Sequence, residues 1–417
     1  MTSKKVMLKQ IGKIVTGKTP ATDNLNFWDG EILFISPTDL HVNMWVKDTQ
    51  RKITERGLNS IRANAISGLS ILVGCIGWDM GNVAIVNGVC ATNQQINSIT
   101  EIKTELVNPY YVYYWLKNKK DYLFKISNVT RTPILKKSLF EEVEINLPDK
   151  QYQDRVVRLL KNIDNTIENN IAIIDKLRLV VKTIYDYWFL QFEFPNEEGK
   201  PYKSSGGKMV WNEELQREIP EGWKVGNLSN NELTKIIKPG IDKFEGTKNY
   251  LETADVTESN YTKGEEVTFE NRASRANMQP TKNSVWFAKM KDSVKHLLIN
   301  EEMQPLIERS IFSTGFLGLQ CSSDSFEYIA TYIKSEYFEK AKNKLAHGAT
   351  QQAINNSDLR GIKIVIPCDE VLTEFHKRFK SIYSLISKKT IENKELIDMK
   401  EFLLPLLMNG QVTISKN

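Results

Sequence analysis

"NVTRTPILKKSLFEEVEINLP" (residues 128–148) and "HGATQQAINNSDLRGIKIVIP" (residues 347–367) share one frame. Each has a Thr, an Ile four residues later, a polar stretch, and an alternating strand that ends in Pro: Thr130, Ile134, Ile145 and Pro148 against Thr350, Ile354, Ile364 and Pro367. The copies lie 220 residues apart at the Thr and 219 at the Pro. The 219-residue offset continues downstream, where Lys161, Ile163, Ile167 and Leu177 recur as Lys380, Ile382, Ile386 and Leu396. Upstream, "KIVTG" at 13–17 resembles "KIIKPG" at 235–240. The chain is one unit written twice, and a period this long makes each unit a domain with an attached element, not one turn of a solenoid.

The pattern predicts an α+β domain over residues 1–148, with strands such as "EILFIS", "VAIV" and "VEINL" and one helix over "NPYYVYYWLKNKKDYLF". A second such domain is expected over 223–367, with "DSFEYIATYIKSEYFEKAKNKLA" as its helix, Gly348 as its stop and "IKIVIP" as its strand. A long helix follows each, at 149–193 and 368–417. Residues 194–222, rich in Pro and Gly, form the connector, because no helix tolerates that density of breakers.

Both helices carry a heptad seam. In the first, Leu160, Ile167, Ile174, Val181 and Trp188 alternate with Val156, Ile163, Asn170, Leu177 and Ile184. In the second, adding 219 gives Phe375, Phe379, Ile382, Ile386, Lys389, Asn393, Leu396, Lys400, Leu403 and Leu407. The two helices are expected to pair as an antiparallel coiled coil on the order of 50 Å long, relating the two domains by a pseudo-twofold axis. The polar positions Lys389, Asn393 and Lys400 weaken the second seam and are expected to leave unsatisfied surface for another protein.

At 417 residues, with 41% hydrophobic and 26% charged side chains, the chain has room for two or three packed domains and the composition of a soluble globular protein. No apolar run suits a signal peptide or a bilayer span, so a cytoplasmic location is expected. Cys75, Cys90, Cys321 and Cys368 lie far apart and read as free thiols, with no metal site. The net charge of +5 is unevenly spread: residues 1–148 carry an excess of five basic groups and 201–374 an excess of three acidic ones. A uniformly basic nucleic-acid binder is thereby excluded, and any DNA contact has to use local clusters.

One such cluster runs from Lys117 through Lys119, Lys120, Lys125, Arg131 and Lys136 to Lys137; its counterpart is Lys334, Lys340, Lys342, Lys344 and His347. Beside them lie the two Thr loops, whose short polar side chains suit base edges. The candidate DNA contacts are therefore Lys125, Thr130, Arg131 and Thr132 in one copy and Lys344, His347, Thr350, Gln351 and Gln352 in the other, with Lys18 and Thr19 of "VTGKTP" as a further pair. Catalytic signatures are missing: the chain has no Walker loop, no dinucleotide-binding glycine turn, no Pro-Pro of the adenine methyltransferase signature, no nucleophile elbow and no HExxH. Asp149 with Glu198 and Lys200 imitates a metal-dependent nuclease, but the whole predicted helix separates the two halves.

The arrangement resembles the specificity subunit of type I restriction–modification enzymes. The resemblance runs from "LKQIGKIVTGKTP" through the "TRTPI" and "TQQAI" loops to the connector "YDYWFLQFEFPNEEGKPYKSSGGKMVWNEELQREIPEGWKV", its most specific feature. It implies two target-recognition domains, each reading one half of a bipartite, asymmetric DNA site, in a chain that is not itself an enzyme. Two methyltransferase subunits carrying S-adenosylmethionine, and ATP- and Mg-dependent restriction subunits, would be its partners, with no cofactor in this chain. A coiled-coil interaction scaffold without sequence-specific DNA binding is the alternative; it accounts for the seams but not for the paired polar loops.

Overall fold

The computed structural model describes residues 3–41, 44–78, 80–127 and 132–414. It forms two compact units, one of residues 1–166 with 397–417 and one of 167–396. The division falls inside both long helices, so each unit contains part of each.

In the first unit the strands Lys13–Thr16, Ile96–Thr100, Ser70–Gly74 and Val83–Val86 lie side by side in that order, all antiparallel. Three of them are buried along their whole length, because both faces of the sheet are covered. The period of two sorts their side chains. Ile71, Val73, Val83 and Ile85 enter a core with Tyr111, Val112 and the helix residues Val156 and Leu160, whereas Leu72, Ala84 and Val86 pack on Ile35, Ile66 and Cys90. The second face is closed by a three-stranded sheet in which Trp28–Ile35 runs antiparallel to Arg51–Ile53 and parallel to Cys90–Thr92. Lys4–Met7 pairs with Glu144–Leu147 where the domain meets its helix.

The second unit repeats this topology. Thr234–Ile236, Phe316–Cys321, Ser284–Ala288 and His296–Ile299 form the antiparallel four-stranded sheet. Lys248–Leu251 pairs in parallel with Ser310–Ser313 in a second sheet, and Lys224–Asn227 pairs with Lys363–Ile366 at the exit. The alternation also recurs: Val285 and Phe287 face the helix-side core, while Trp286 and Ala288 face the opposite one. Trp286 lies across from Gly318, where a Cβ would come within 2.6 Å of the indole ring, so the partner strand needs a glycine there.

Each domain helix expected as one piece is two. Pro109–Lys117 gives way to Lys120–Ile126, and Phe326–Ile333 to Glu336–Leu345. In the second copy Ser335 makes the break: its hydroxyl accepts from the Phe338 N–H at 3.2 Å and so restarts the helix. Gly348 is not the stop either, since the helix ends at Leu345.

The central helix, Lys150–Tyr185, starts at Asp149, whose carboxylate accepts from the Tyr152 N–H at 2.8 Å. It ends in a π-helical turn over Asp186–Leu190. The C-terminal helix, Asp369–Met408, opens with the acidic pair Asp369 and Glu370, which suits the positive end of its dipole. The two helices pair antiparallel within each unit. In the first, the Tyr152 hydroxyl donates to the Leu407 carbonyl at 3.2 Å, and Asp164 meets Lys400. In the second, Asn170 meets Asn393, and Tyr185 and Trp188 meet Phe375.

All the predicted seam residues face inward. Leu160, Ile163, Ile167, Ile174, Val181 and Ile386 are buried, and Leu177, Ile382, Leu396 and Leu403 are half-buried. One expectation fails: the polar seam positions are satisfied internally. Asn170 Nδ2 donates to Asn393 Oδ1 at 2.9 Å, Lys389 pairs with Glu392 at 2.7 Å, and Lys400 pairs with the buried Asp164, which also accepts from the Tyr114 hydroxyl at 2.6 Å. Asn393 and Lys400 find their partners on the neighbouring helix and Lys389 finds its own on the same helix, as a mostly apolar interior demands.

The connector is ordered. Met209–Asn212 and Arg217–Pro220 form a hairpin, and Phe194 is stacked between Tyr202 (4.5 Å) and Trp223 (4.9 Å). Glu198, half of the nuclease-like pair, lies in a turn there and is bound to Lys200 at 2.8 Å; Asp149 serves as the helix cap.

Candidate nucleic-acid interface

In the first unit a chain of backbone hydrogen bonds joins three loops. The Cys75 N–H donates to the Gln95 carbonyl at 2.7 Å, the Leu135 N–H to the Cys75 carbonyl at 2.8 Å, and the Gly77 N–H to the Pro133 carbonyl at 3.0 Å. The loop after strand Ser70–Gly74 is therefore stitched on one side to the loop before Ile96–Thr100 and on the other to the "TRTPI" loop. Lys18 and Thr19 join the same set, because the Thr19 hydroxyl donates to Gln94 Oε1 at 2.7 Å. Lys18 and Thr132 are exposed. Thr130 and Arg131 lie outside the described residues.

The same stitching holds the second unit. The Lys289 N–H donates to the Gly315 carbonyl at 3.0 Å, the Ile354 N–H to the Lys289 carbonyl at 3.0 Å, and the Lys291 N–H to the Gln352 carbonyl at 2.9 Å. The "TQQAI" loop is closed at its base by reciprocal bonds between His347 and Ala353, at 3.2 and 3.0 Å. Gly348, at φ 128°, makes the tight turn; a Cβ there would meet the Gln351 carbonyl at 2.6 Å. Thr350, Gln351 and Gln352 are thus carried exposed on a fixed loop.

The basic clusters are smaller than their sequence suggests. Lys342 is fully buried, bound to Glu339 at 2.7 Å, and Glu339 also holds His296 at 2.9 Å. Burial in the main, with the nearby Arg178 adding to it, brings the Lys334 ammonium down to about 8, and its Nζ donates to Ser259 Oγ at 2.7 Å. Lys117 is likewise brought down to about 8, first by burial and then by Lys400, against the pull of Asp164. These lysines are packing residues, and so they leave the set of phosphate contacts. His347 is tied to Asp358 at 3.5 Å and to the Leu345 carbonyl at 3.2 Å, which positions its loop. Lys125 and Lys344 remain exposed at helix ends.

The structure adds residues that the sequence did not single out. Trp78 is 80% exposed and stacks on Phe124 with centroids 6.1 Å apart, so an open aromatic face stands next to Lys125 and the "TRTPI" loop. With Ser36, Thr38, Asn93 and Gln95 it lines a shallow groove. The matching loop of the second unit presents Lys289 and Lys291, and the Lys291 ammonium donates to Gln352 Oε1 at 2.8 Å. The available signal was positional, since "CIGW" and "KMKD" both follow the matched strands Ser70–Gly74 and Ser284–Ala288.

Among the described residues no three His, Cys, Asp or Glu side chains gather as a metal site, and no helix is long and apolar enough to cross a membrane. The four cysteines are free, and burial pushes the thiols of Cys75 and Cys90 up to about 12.

Comparison with known proteins agrees with this architecture. The MjaIX type I restriction enzyme specificity subunit of Methanocaldococcus jannaschii is 27% identical over 98% of this chain and 93% of its own length. The HindI specificity subunit of Haemophilus influenzae is 32% identical over 39% of this chain and 36% of its own. The crystal structure of a type I restriction–modification S subunit from M. genitalium shares the fold, with a TM-score of 0.58 at 14% identity over 100% of this chain and 97% of that one. Residues 2–179 match the type I restriction modification DNA specificity domain, so this part of the chain is similar to the type I specificity subunits.

Proposed function

We propose that this chain is the DNA-reading subunit of a type I restriction–modification complex, with each unit reading one half of a bipartite, asymmetric site. The observation that carries this reading is the repeated frame. Identical backbone bonds hold the reader loops of both units, while the exposed side chains differ: Thr132 and Trp78 on one, Thr350, Gln351 and Gln352 on the other. Rigid loops with variable polar tips are what base-edge reading needs, with the cations nearby positioning the phosphates.

The chain itself supplies no chemistry in this proposal. Two modification subunits bring S-adenosylmethionine, restriction subunits bring ATP and Mg, and this chain holds the duplex while the partner draws out the base to be methylated, at a cost of a few kcal/mol. The candidate contacts are Lys18, Thr19, Lys125, Thr130, Arg131 and Thr132 in one unit and Lys344, Thr350, Gln351 and Gln352 in the other, with His347 shaping the second loop.

The test is methyladenine mapping in cells with and without the chain, together with gel shifts of the assembled modification complex. Two fixed half-sites that vanish with the chain are expected. Binding without preference among duplexes and without a salt slope would leave an interaction scaffold as the better account.

A further inference from the structure

The second unit contains a pair of cations that its own fold does not neutralise. Arg275 and Lys289 converge on the Thr314–Gly315 step. The Arg275 carbonyl accepts from the N–H groups of Asn277 and Thr314, both at 2.9 Å, which fixes its backbone. Its guanidinium reaches the face of Gly315, where a Cβ would stand 3.4 Å from Nη2. Lys289 reaches the same step from the other strand: its N–H donates to the Gly315 carbonyl at 3.0 Å and its ammonium to the Thr314 carbonyl at 2.9 Å.

Two like charges held this close repel. Burial first, and Arg275 second, keep the Lys289 ammonium below the ordinary lysine range. Among the described residues neither cation forms an ion pair. Glu252, directly after the strand end at Leu251, accepts from the Tyr250 hydroxyl at 3.0 Å. The pair lies inside the reader frame, because the Lys289 carbonyl also holds Ile354 of the "TQQAI" loop. In the first unit the positions matching Lys289 and Gly315 in this frame are Cys75 and Gln95, which carry no charge.

We propose that Arg275 and Lys289 form a guanine-reading clamp of the second unit, donating to O6 and N7 of one guanine in its half-site. This rests on the DNA-reading function proposed above. Guanine offers two acceptors side by side in the major groove, the pattern that arginine and lysine recognise. A backbone phosphate would satisfy the charges too, but the Lys289 carbonyl binds Ile354 and Lys291, two residues on, binds Gln352, and this position within the repeated loop frame favours the base edge.

The experiment uses the assembled modification complex and its mapped site. Each guanine of the half-site whose recognition Gln351→Ala alters is replaced in turn by 7-deazaguanine, which lacks N7. One replacement is expected to weaken binding about 10- to 100-fold. Arg275→Ala should lose a similar factor and become indifferent to that same replacement, with Arg275→Lys intermediate; Lys289→Met should behave like a weaker Arg275→Ala. A half-site without guanine, or an Arg275→Ala loss that is equal on all duplexes and lowers the salt slope by about one, would overturn the clamp while leaving sequence-specific reading intact. Loss of all sequence preference in the unaltered complex would instead remove the function on which the clamp rests.

Discussion

The two units share a sheet topology, yet they join their helices by opposite chemistry. In the first, Tyr114 donates to Asp164, and Asp164 pairs with Lys400 from the C-terminal helix. At the matching places of the second stand Thr331, Tyr383 and Val181, with the Thr331 and Tyr383 hydroxyls 2.8 Å apart. Around them packs an aromatic cluster of Tyr185, Trp188, Phe189 and Phe375, with centroids 5.0 to 6.3 Å apart. One fold accepts a buried ion pair or an aromatic core at the same junction, provided every polar atom is paired. The repeat therefore preserves geometry and leaves chemistry free to change, at the junctions as at the two Thr loops.

The largest effect should come from breaking the ionic junction. Lys400→Ala leaves Asp164 charged and buried, and should destabilise the first unit by about 3–5 kcal/mol in denaturant melts. Copying the second unit's junction into the first, as Tyr114→Thr, Asp164→Tyr and Lys400→Val together, should recover most of that loss. If the triple variant is no better than the single one, the two junctions are not interchangeable and the comparison fails.

The paired amides come next. Asn393→Ala orphans the Asn170 amide and should cost about 1–3 kcal/mol. The double change to Leu should restore stability while loosening helix register, visible as broadened hydrogen exchange along both helices.

Reader changes should be of similar size but act on binding alone. Gln351→Ala should relax recognition at one base pair of one half-site by about 1–3 kcal/mol, with the other half-site unchanged and melting unaltered. Trp78→Ala should weaken the first unit's half-site by about 1–3 kcal/mol with no change in salt slope, because an aromatic face stacks and neutralises no phosphate. Unchanged binding would place Trp78 outside the contact surface, and a fall in the slope would show that it positions phosphate contacts instead of stacking on a base.

The smallest effect is shared by both units. Lys117 and Lys334 are each held near 8 in the folded chain, below the ordinary lysine range. Between these values the unfolded chain binds more protons than the folded one, so stability should rise with pH across the window from about 8 upward. Lys117→Met and Lys334→Met together should flatten that rise; an unchanged pH profile would show that neither ammonium is desolvated.

Much of this fold was legible in the sequence. The duplicated Thr–Ile–Pro frame located both exit strands, and the heptad spacing placed Leu160, Ile167, Val181 and Ile386 in the seam, because periodicity belongs to a contiguous stretch of chain. The Thr loops could be picked out as a repeated feature for the same reason.

What the sequence could not rank was which charges meet solvent. Lys342 and Lys344 are two residues apart, yet one is buried against Glu339 and the other exposed. That difference is set by a strand and the turn after it some fifty residues upstream, where Ala288 and Ser293 supply the carbonyls that Lys342 binds. The partners of Asn393 and Lys400 lie on a helix more than two hundred residues earlier, as does the choice between an ionic and an aromatic junction. Sequence alone determined the two-copy plan and the inward faces of its helices, since local spacing fixes both. Tertiary structure decided how the buried polar groups of the helices are satisfied and which loops stand beside the two Thr loops, because those outcomes depend on neighbours that only folding brings within hydrogen-bond reach.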